Sequence, residues 1–136
     1  MFAELPAELF YLGFSILLGL GTIGLHAAMV DFDAGLSWGV GSRDEPAPRG
    51  SLIRERLGRA AVNFNETFPF FAAAILGCIA LDRVGTSVTV LGATLYFWGR
   101  LAYVPLYAFG VRWLRTVAWF VAIFGIILVT LPLLGL

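Results

Sequence analysis

The chain is 136 residues long and 60% hydrophobic, with nine basic and nine acidic side chains and a formal net charge of zero. A soluble domain of that composition would have almost no polar surface, so the chain reads as a single-domain membrane protein, and its charge balance argues against nucleic acid as a partner. The single cysteine, Cys78, excludes an intrachain disulfide and a multi-cysteine metal centre, and no metal site is expected.

Met1 to Glu8 carries two glutamates and no basic residue, so it lacks the positive region of a secretory signal, and the first helix is expected to stay. Residues 9–30 form an uncharged apolar run of bilayer length. Gly13, Gly19, Gly21 and Gly24 in it are expected to let neighbouring helices approach closely. His26 is read as bonding to a neighbouring helix or facing the interface rather than ligating a haem. Residues 31–51 change character to a polar, turn-rich loop. A second span covers 52–81, with charges in its first two turns. A third covers 86–110, interrupted by Arg100 and Pro105. Arg112 to Arg115 reads as a tight basic link, and 116–136 is a fourth span without charge. The expected fold is all-α, one four-transmembrane-helix bundle over residues 1–136.

The improbable stretch is the start of the second span. On a helix Arg59, Asn63 and Glu66 are spaced i, i+4 and i+7 and share one face, which Arg56 extends. A carboxylate carried into an apolar span costs roughly 2.5 to 3.5 kcal/mol at the bilayer centre unless it meets protein, water or a ligand. Arg100, Tyr103 and Tyr107 make a second stripe, spaced i, i+3 and i+7. Four spans place both termini on one side. Arg43, Arg49, Arg54, Arg56, Arg59, Arg112 and Arg115 lie at the other, against Arg83 alone. By the positive-inside rule the arginine-rich loops are cytoplasmic and the termini external, with Trp38, Trp98 and Trp113 as an interfacial belt. Both stripes and Arg115 then share one leaflet.

All nine basic residues are arginine. Arginine suits planar, two-pronged recognition of carboxylates, although GC-rich coding explains the bias equally well. One reading of the stripes is internal glue, with Glu66 paired to Arg59 or Arg100. The surplus of arginine over nearby acids instead points to an anionic guest, either a phospholipid headgroup or a small multicarboxylate molecule.

The string Glu55-Arg56-Leu57-Gly58-Arg59-Ala60, followed by Asn63 and Glu66-Thr67-Phe68-Pro69-Phe70, resembles the second-helix signature of the MAPEG family, the membrane-associated proteins in eicosanoid and glutathione metabolism. Arg100-Leu101-Ala102-Tyr103-Val104-Pro105-Leu106-Tyr107 and the later Arg115-Thr116 resemble its second signature. The loop from Leu36-Ser37-Trp38-Gly39 to Arg43-Asp44-Glu45-Pro46 is similar to the bacterial branch.

The resemblance implies a homotrimer in a bacterial inner membrane, its termini periplasmic, with glutathione bound between subunits near the cytoplasmic face. It implies a glutathione transferase or peroxidase, similar to the microsomal transferases, acting on a lipophilic electrophile. Arg59, Asn63, Glu66, Arg100, Tyr103 and Tyr107 would bind the tripeptide, and Arg115 would stabilise its thiolate, with Arg112 as the alternative. Catalytic members carry arginine at the cytoplasmic end of the first helix, where this chain has His26, Asp31 and Asp33. The contact is then either missing or replaced from the loop by Arg43 or Arg49. The contrasting reading is a non-catalytic membrane scaffold that binds lipid or partner proteins.

Overall fold

The computed structural model describes residues 5–136; Met1 to Glu4, part of the stretch read as lacking a signal's positive region, lie outside them. Among the described residues the regular structure is entirely helical: α1 (Ala7–Ala34), α2 (Leu36–Val40), α3 (Leu52–Ala80), α4 (Ser87–Ala108) and α5 (Arg112–Thr130), closed by a 3-10 turn at Leu131–Leu134. Three helical segments are long and apolar enough to cross a membrane, Ala7–Ala34, Leu52–Ala80 and Arg112–Leu134. α4 has 22 residues, about 33 Å of helix, but it carries Arg100 and three tyrosines and is not among the three.

The boundaries differ from the expected ones in three places. α1 continues past Val30 to Ala34, so Asp31 and Asp33 are helical, and Gly35 at φ 89° stops it. α4 runs unbroken through Arg100 and Pro105. The expected basic link Arg112 to Arg115 is instead the first turn of α5. Gly110 makes this possible, because its φ of 76° belongs to the left-handed region that glycine enters without a Cβ penalty. The Val111 amide donates to Leu106 O at 2.9 Å and the Gly110 amide to Tyr107 O at 3.1 Å, so the chain reverses in two residues.

Local capping fixes the starts of α3 and α4. Ser51 Oγ accepts the Arg54 amide at 3.2 Å at the head of α3. Thr86 and Thr89 exchange side-chain and backbone bonds in a capping box at the head of α4.

α1 buries Glu8, Leu12, Ser15, Gly19 and Thr22. Their spacing of four, three, four and three residues is the narrow seam of a coiled coil. His26 and Asp33 continue the same seam, which is why both meet α3 rather than lipid. The Phe64 ring lies against Gly19, and His26 lies against Gly58. Of the four α1 glycines expected to admit a neighbour only Gly19 does so within this chain; Gly13, Gly21 and Gly24 face open space.

α4 and α5 meet through small residues. A Cβ at Gly92 would come 2.6 Å from Gly125 O, and one at Gly99 would come 2.9 Å from Ala118 O. Between these helices and α3 lies the core, where Phe71 stacks on Tyr96 with ring centroids 3.9 Å apart. Ile75, Cys78, Ala93, Ala122 and Val129 pack around them. Cys78 is therefore a core residue, and its thiol donates to Val129 O at 3.2 Å.

Polar ties hold the two ends. At one, Glu8 Oε1 accepts the Gly85 amide at 2.6 Å and the Thr89 hydroxyl at 2.5 Å, and Arg83 donates to Pro132 O. At the other, the buried Arg54 guanidinium donates to Asp33 at 2.7 Å, to Pro48 O at 2.7 Å and to Glu55 at 3.1 Å. One arginine thus joins the end of α1, the connecting loop and the head of α3.

Candidate functional site

Two turns into α3, the stripe read from the sequence faces α4. Arg100 is fully buried there, and its Nη1 donates to Asn63 Oδ1 at 2.9 Å. The remaining nitrogens, Nε and Nη2, have no hydrogen-bond partner among the described residues. Aromatic faces surround the cation: Arg100 Cζ lies 4.4 Å from the Tyr103 ring centroid and 5.4 Å from that of Phe64. Because the Asn63 oxygen is claimed by a cation, its amide nitrogen must point the other way. It does so toward Glu66 Oε2, at a longer 3.4 Å.

A second group forms one turn nearer the end of the bundle. Arg59 Nε donates to Tyr107 Oη at 3.3 Å, and Arg115 stacks its guanidinium 4.5 Å from the centre of the same ring. Tyr103 and Tyr107 are themselves 5.5 Å apart. Asn63, Tyr103, Tyr107, Arg115, Thr116 and Trp119 line a cleft of about 250 Å³. Arg115, and not Arg112, lines that cleft.

The cleft adjoins a larger groove of about 670 Å³ between α3 and α5. Asn63 and Trp119 border both. Glu66 and Thr67 edge the groove, and Phe70, Ile123 and Ile127 give it an apolar wall. A cleft lined by an arginine and two tyrosines and a largely apolar groove therefore meet at one asparagine and one tryptophan.

All seven residues singled out in the sequence come together, in unequal roles. Asn63, Tyr103, Tyr107 and Arg115 line the cleft, Arg59 stands behind Tyr107 and bonds its hydroxyl, Glu66 sits at the groove's edge, and Arg100 is buried away from the cleft. Glu66 makes no ion pair with Arg59 or Arg100; among the described residues the ion pairs within 4.0 Å are those of Arg54. The loop arginines do not line the cleft. Arg43 folds back on its own loop, donating to Gly39 O at 2.9 Å and 3.1 Å beside the Trp38 ring, and Arg49 is exposed. His26 makes its contact with Gly58, beneath Arg59.

Two contributors escape a reading of the sequence. Trp119 is one turn beyond Arg115 on α5, so helical spacing from that arginine signals it. Thr67 follows Glu66 and turns inward, its hydroxyl 3.4 Å from Tyr96 Oη; nothing in its spacing marks that role.

A helical membrane protein with arginines and tyrosines gathered around a cleft at one end of its bundle defines a narrow class. The chain belongs to the MAPEG family, whose family model matches residues 11–135. That family includes glutathione transferases and related membrane proteins. A search of the curated proteins matches none of them, and a search of the solved structures likewise finds no match.

Proposed function

We propose that this chain is a glutathione-dependent membrane enzyme that conjugates or reduces lipophilic electrophiles or hydroperoxides. The observation that carries the reading is the shared border of the cleft and the groove at Asn63 and Trp119. Glutathione has two carboxylates and one ammonium. Arg59 and Arg115 match the carboxylates or thiolate, and Glu66, which has no ion pair among the described residues, matches the ammonium. A thiol of pKa about 8.5 becomes the reactive thiolate when a cation stands beside it. Lowering that value by about 2 units needs about 2.7 kcal/mol, and one arginine about 4 Å away at an effective dielectric of about 20 offers roughly 4 kcal/mol before desolvation. Arg115 at the rim of the cleft suits that role, and the apolar groove suits the electrophile.

The same reading takes the four long helices as four spans of one domain in a bacterial inner membrane, with Arg54, Arg56 and Arg115 at the cytoplasmic end and the termini outside. It takes the working unit as a homotrimer whose neighbouring subunit completes the cleft, in contact with membrane lipid. Titration of glutathione into the purified protein in nanodiscs tests it: saturable binding with ultraviolet thiolate absorbance, followed by turnover of a model electrophile, is the expected result. Absence of both the thiolate and turnover would sink it.

One observation favours a second reading, a non-catalytic membrane scaffold. The end of α1 presents Asp31 and Asp33 where catalytic relatives are expected to carry a cation, and Asp33 is engaged by Arg54. On that reading no measurable glutathione affinity is found.

A further inference from the structure

The corner between α4 and α5 carries a second concentration of charge outside the cleft. Arg56 reaches from α3 to this corner, where a Cβ on Gly110 would come 2.5 Å from its Nη1. Arg112 is exposed two residues further on. Neither has a carboxylate within 4.0 Å among the described residues, where the ion pairs all belong to Arg54. Apolar surface flanks the two cations. Phe109 is 69% exposed, Trp113 84% and Leu114 58%, and the outward faces of both helices continue with Trp98, Leu101, Val117 and Phe120.

Those faces must meet acyl chains if the helices lie in a bilayer, which brings the corner to headgroup depth. Trp113 is the side-chain type that settles at that level. Arginine fits a phosphate with two parallel donors. The tight Gly110 reversal, held by the Val111 to Leu106 O bond, keeps Arg56 and Arg112 on a fixed frame.

We infer that Arg56 and Arg112, with Trp113 beside them, form a docking surface for an anionic glycerophospholipid of the surrounding leaflet. The phosphodiester, which carries the lipid's net negative charge, lies between the two guanidinium groups, and the acyl chains descend along Phe109, Leu114 and Val117. Charge complementarity selects the occupant, since two unpaired cations bordered by apolar surface match a molecule that is anionic at one end and apolar at the other. Arg59 and Arg115 take no part, so this surface stands or falls separately from the glutathione reading.

The test uses the full chain in nanodiscs of phosphatidylcholine mixed with phosphatidylglycerol, with one lipid at a time carrying a nitroxide near its carbonyl. Quenching of Trp113 is the difference between the native protein and Trp113→Phe. Labelled phosphatidylglycerol is expected to associate more tightly than labelled phosphatidylcholine by roughly 30-fold, the combined effect of two arginines at a bilayer surface. The preference should fall as salt is raised. It should disappear in Arg56→Gln/Arg112→Gln, which keeps the native size and helix content. Equal quenching by the two lipids in the native protein overturns the proposal without recourse to any arginine variant, and so does a preference that survives the double substitution or ignores salt.

Discussion

Arg100 Nη1 donates to Asn63 Oδ1 across 2.9 Å, and this is the hydrogen bond that anchors a guanidinium with no exposed surface. The other two nitrogens rest among aromatic rings without acceptors. Such a cation is poorly compensated. Removing its partner costs more than removing the cation itself, because the first leaves a buried charge alone and the second does not.

Asn63→Leu is accordingly expected to destabilise the protein by about 3 kcal/mol, and Arg100→Met by clearly less. Adding Arg100→Met to Asn63→Leu should recover most of the loss. Thermal unfolding of the purified variants in detergent measures all three. Equal costs for the two single substitutions, with simple addition in the double, would show that the bond carries no such coupling.

Arg115 and Arg112 are separated by one turn of α5, but only Arg115 reaches the cleft and stacks on Tyr107. Arg115→Ala is predicted to raise the apparent pKa of bound glutathione toward its ordinary value of about 8.5. The sign follows from the cation favouring the charged thiolate. The loss of thiolate is therefore largest near about pH 7 and fades once the solution pH exceeds that ordinary value. Arg112→Ala should leave the absorbance-versus-pH curve in place. The reverse pattern would transfer the role to Arg112.

The close crossing of α4 and α5 predicts a sharp contrast between glycines. A Cβ at Gly125 would come 2.5 Å from Gly92 O and 2.7 Å from Tyr96 N, both backbone atoms that cannot rotate away. Gly125→Val should cost at least about 1 to 3 kcal/mol through overpacking. Gly13→Ala, which faces open space, should be neutral or slightly favourable. Matched thermal shifts for the two variants would mean that the crossing is looser than this geometry.

Arg54 holds the loop through Pro48 O while pairing with Asp33. Arg54→Gln should free the segment ahead of α3 and speed tryptic cleavage after Arg49 by about tenfold, the effect of roughly 1.4 kcal/mol of lost anchoring. An unchanged cleavage rate would mean that other contacts restrain the loop.

How much of this is legible in the sequence depends on contrast. Arg59, Asn63 and Glu66 stand out against apolar neighbours, so their shared face and its convergence with Tyr103 and Tyr107 follow from helical spacing. α1 is apolar nearly all round, and periodicity has nothing to contrast with. Its seam shows only in the seven-residue recurrence of Glu8, Ser15 and Thr22. Arg112 to Arg115 reads as a link because charges after a glycine look like a loop, whereas Gly110 completes the reversal alone. The partner of Arg54 is 21 residues away in sequence, at Asp33. Which of the many arginines is buried is settled by packing rather than by residue type.

The ties at Glu8 and Asp33 also give α1 a fixed working length. The 25 helical steps from Glu8 to Asp33 span about 37 Å, against about 30 Å of bilayer hydrocarbon. Sliding along α3 cannot shorten that distance, since each end is bonded to a different part of the bundle. Hydrophobic mismatch in a thin bilayer must therefore be absorbed by tilt of the whole bundle or by stretching of the adjacent lipid, not by rearrangement inside the protein.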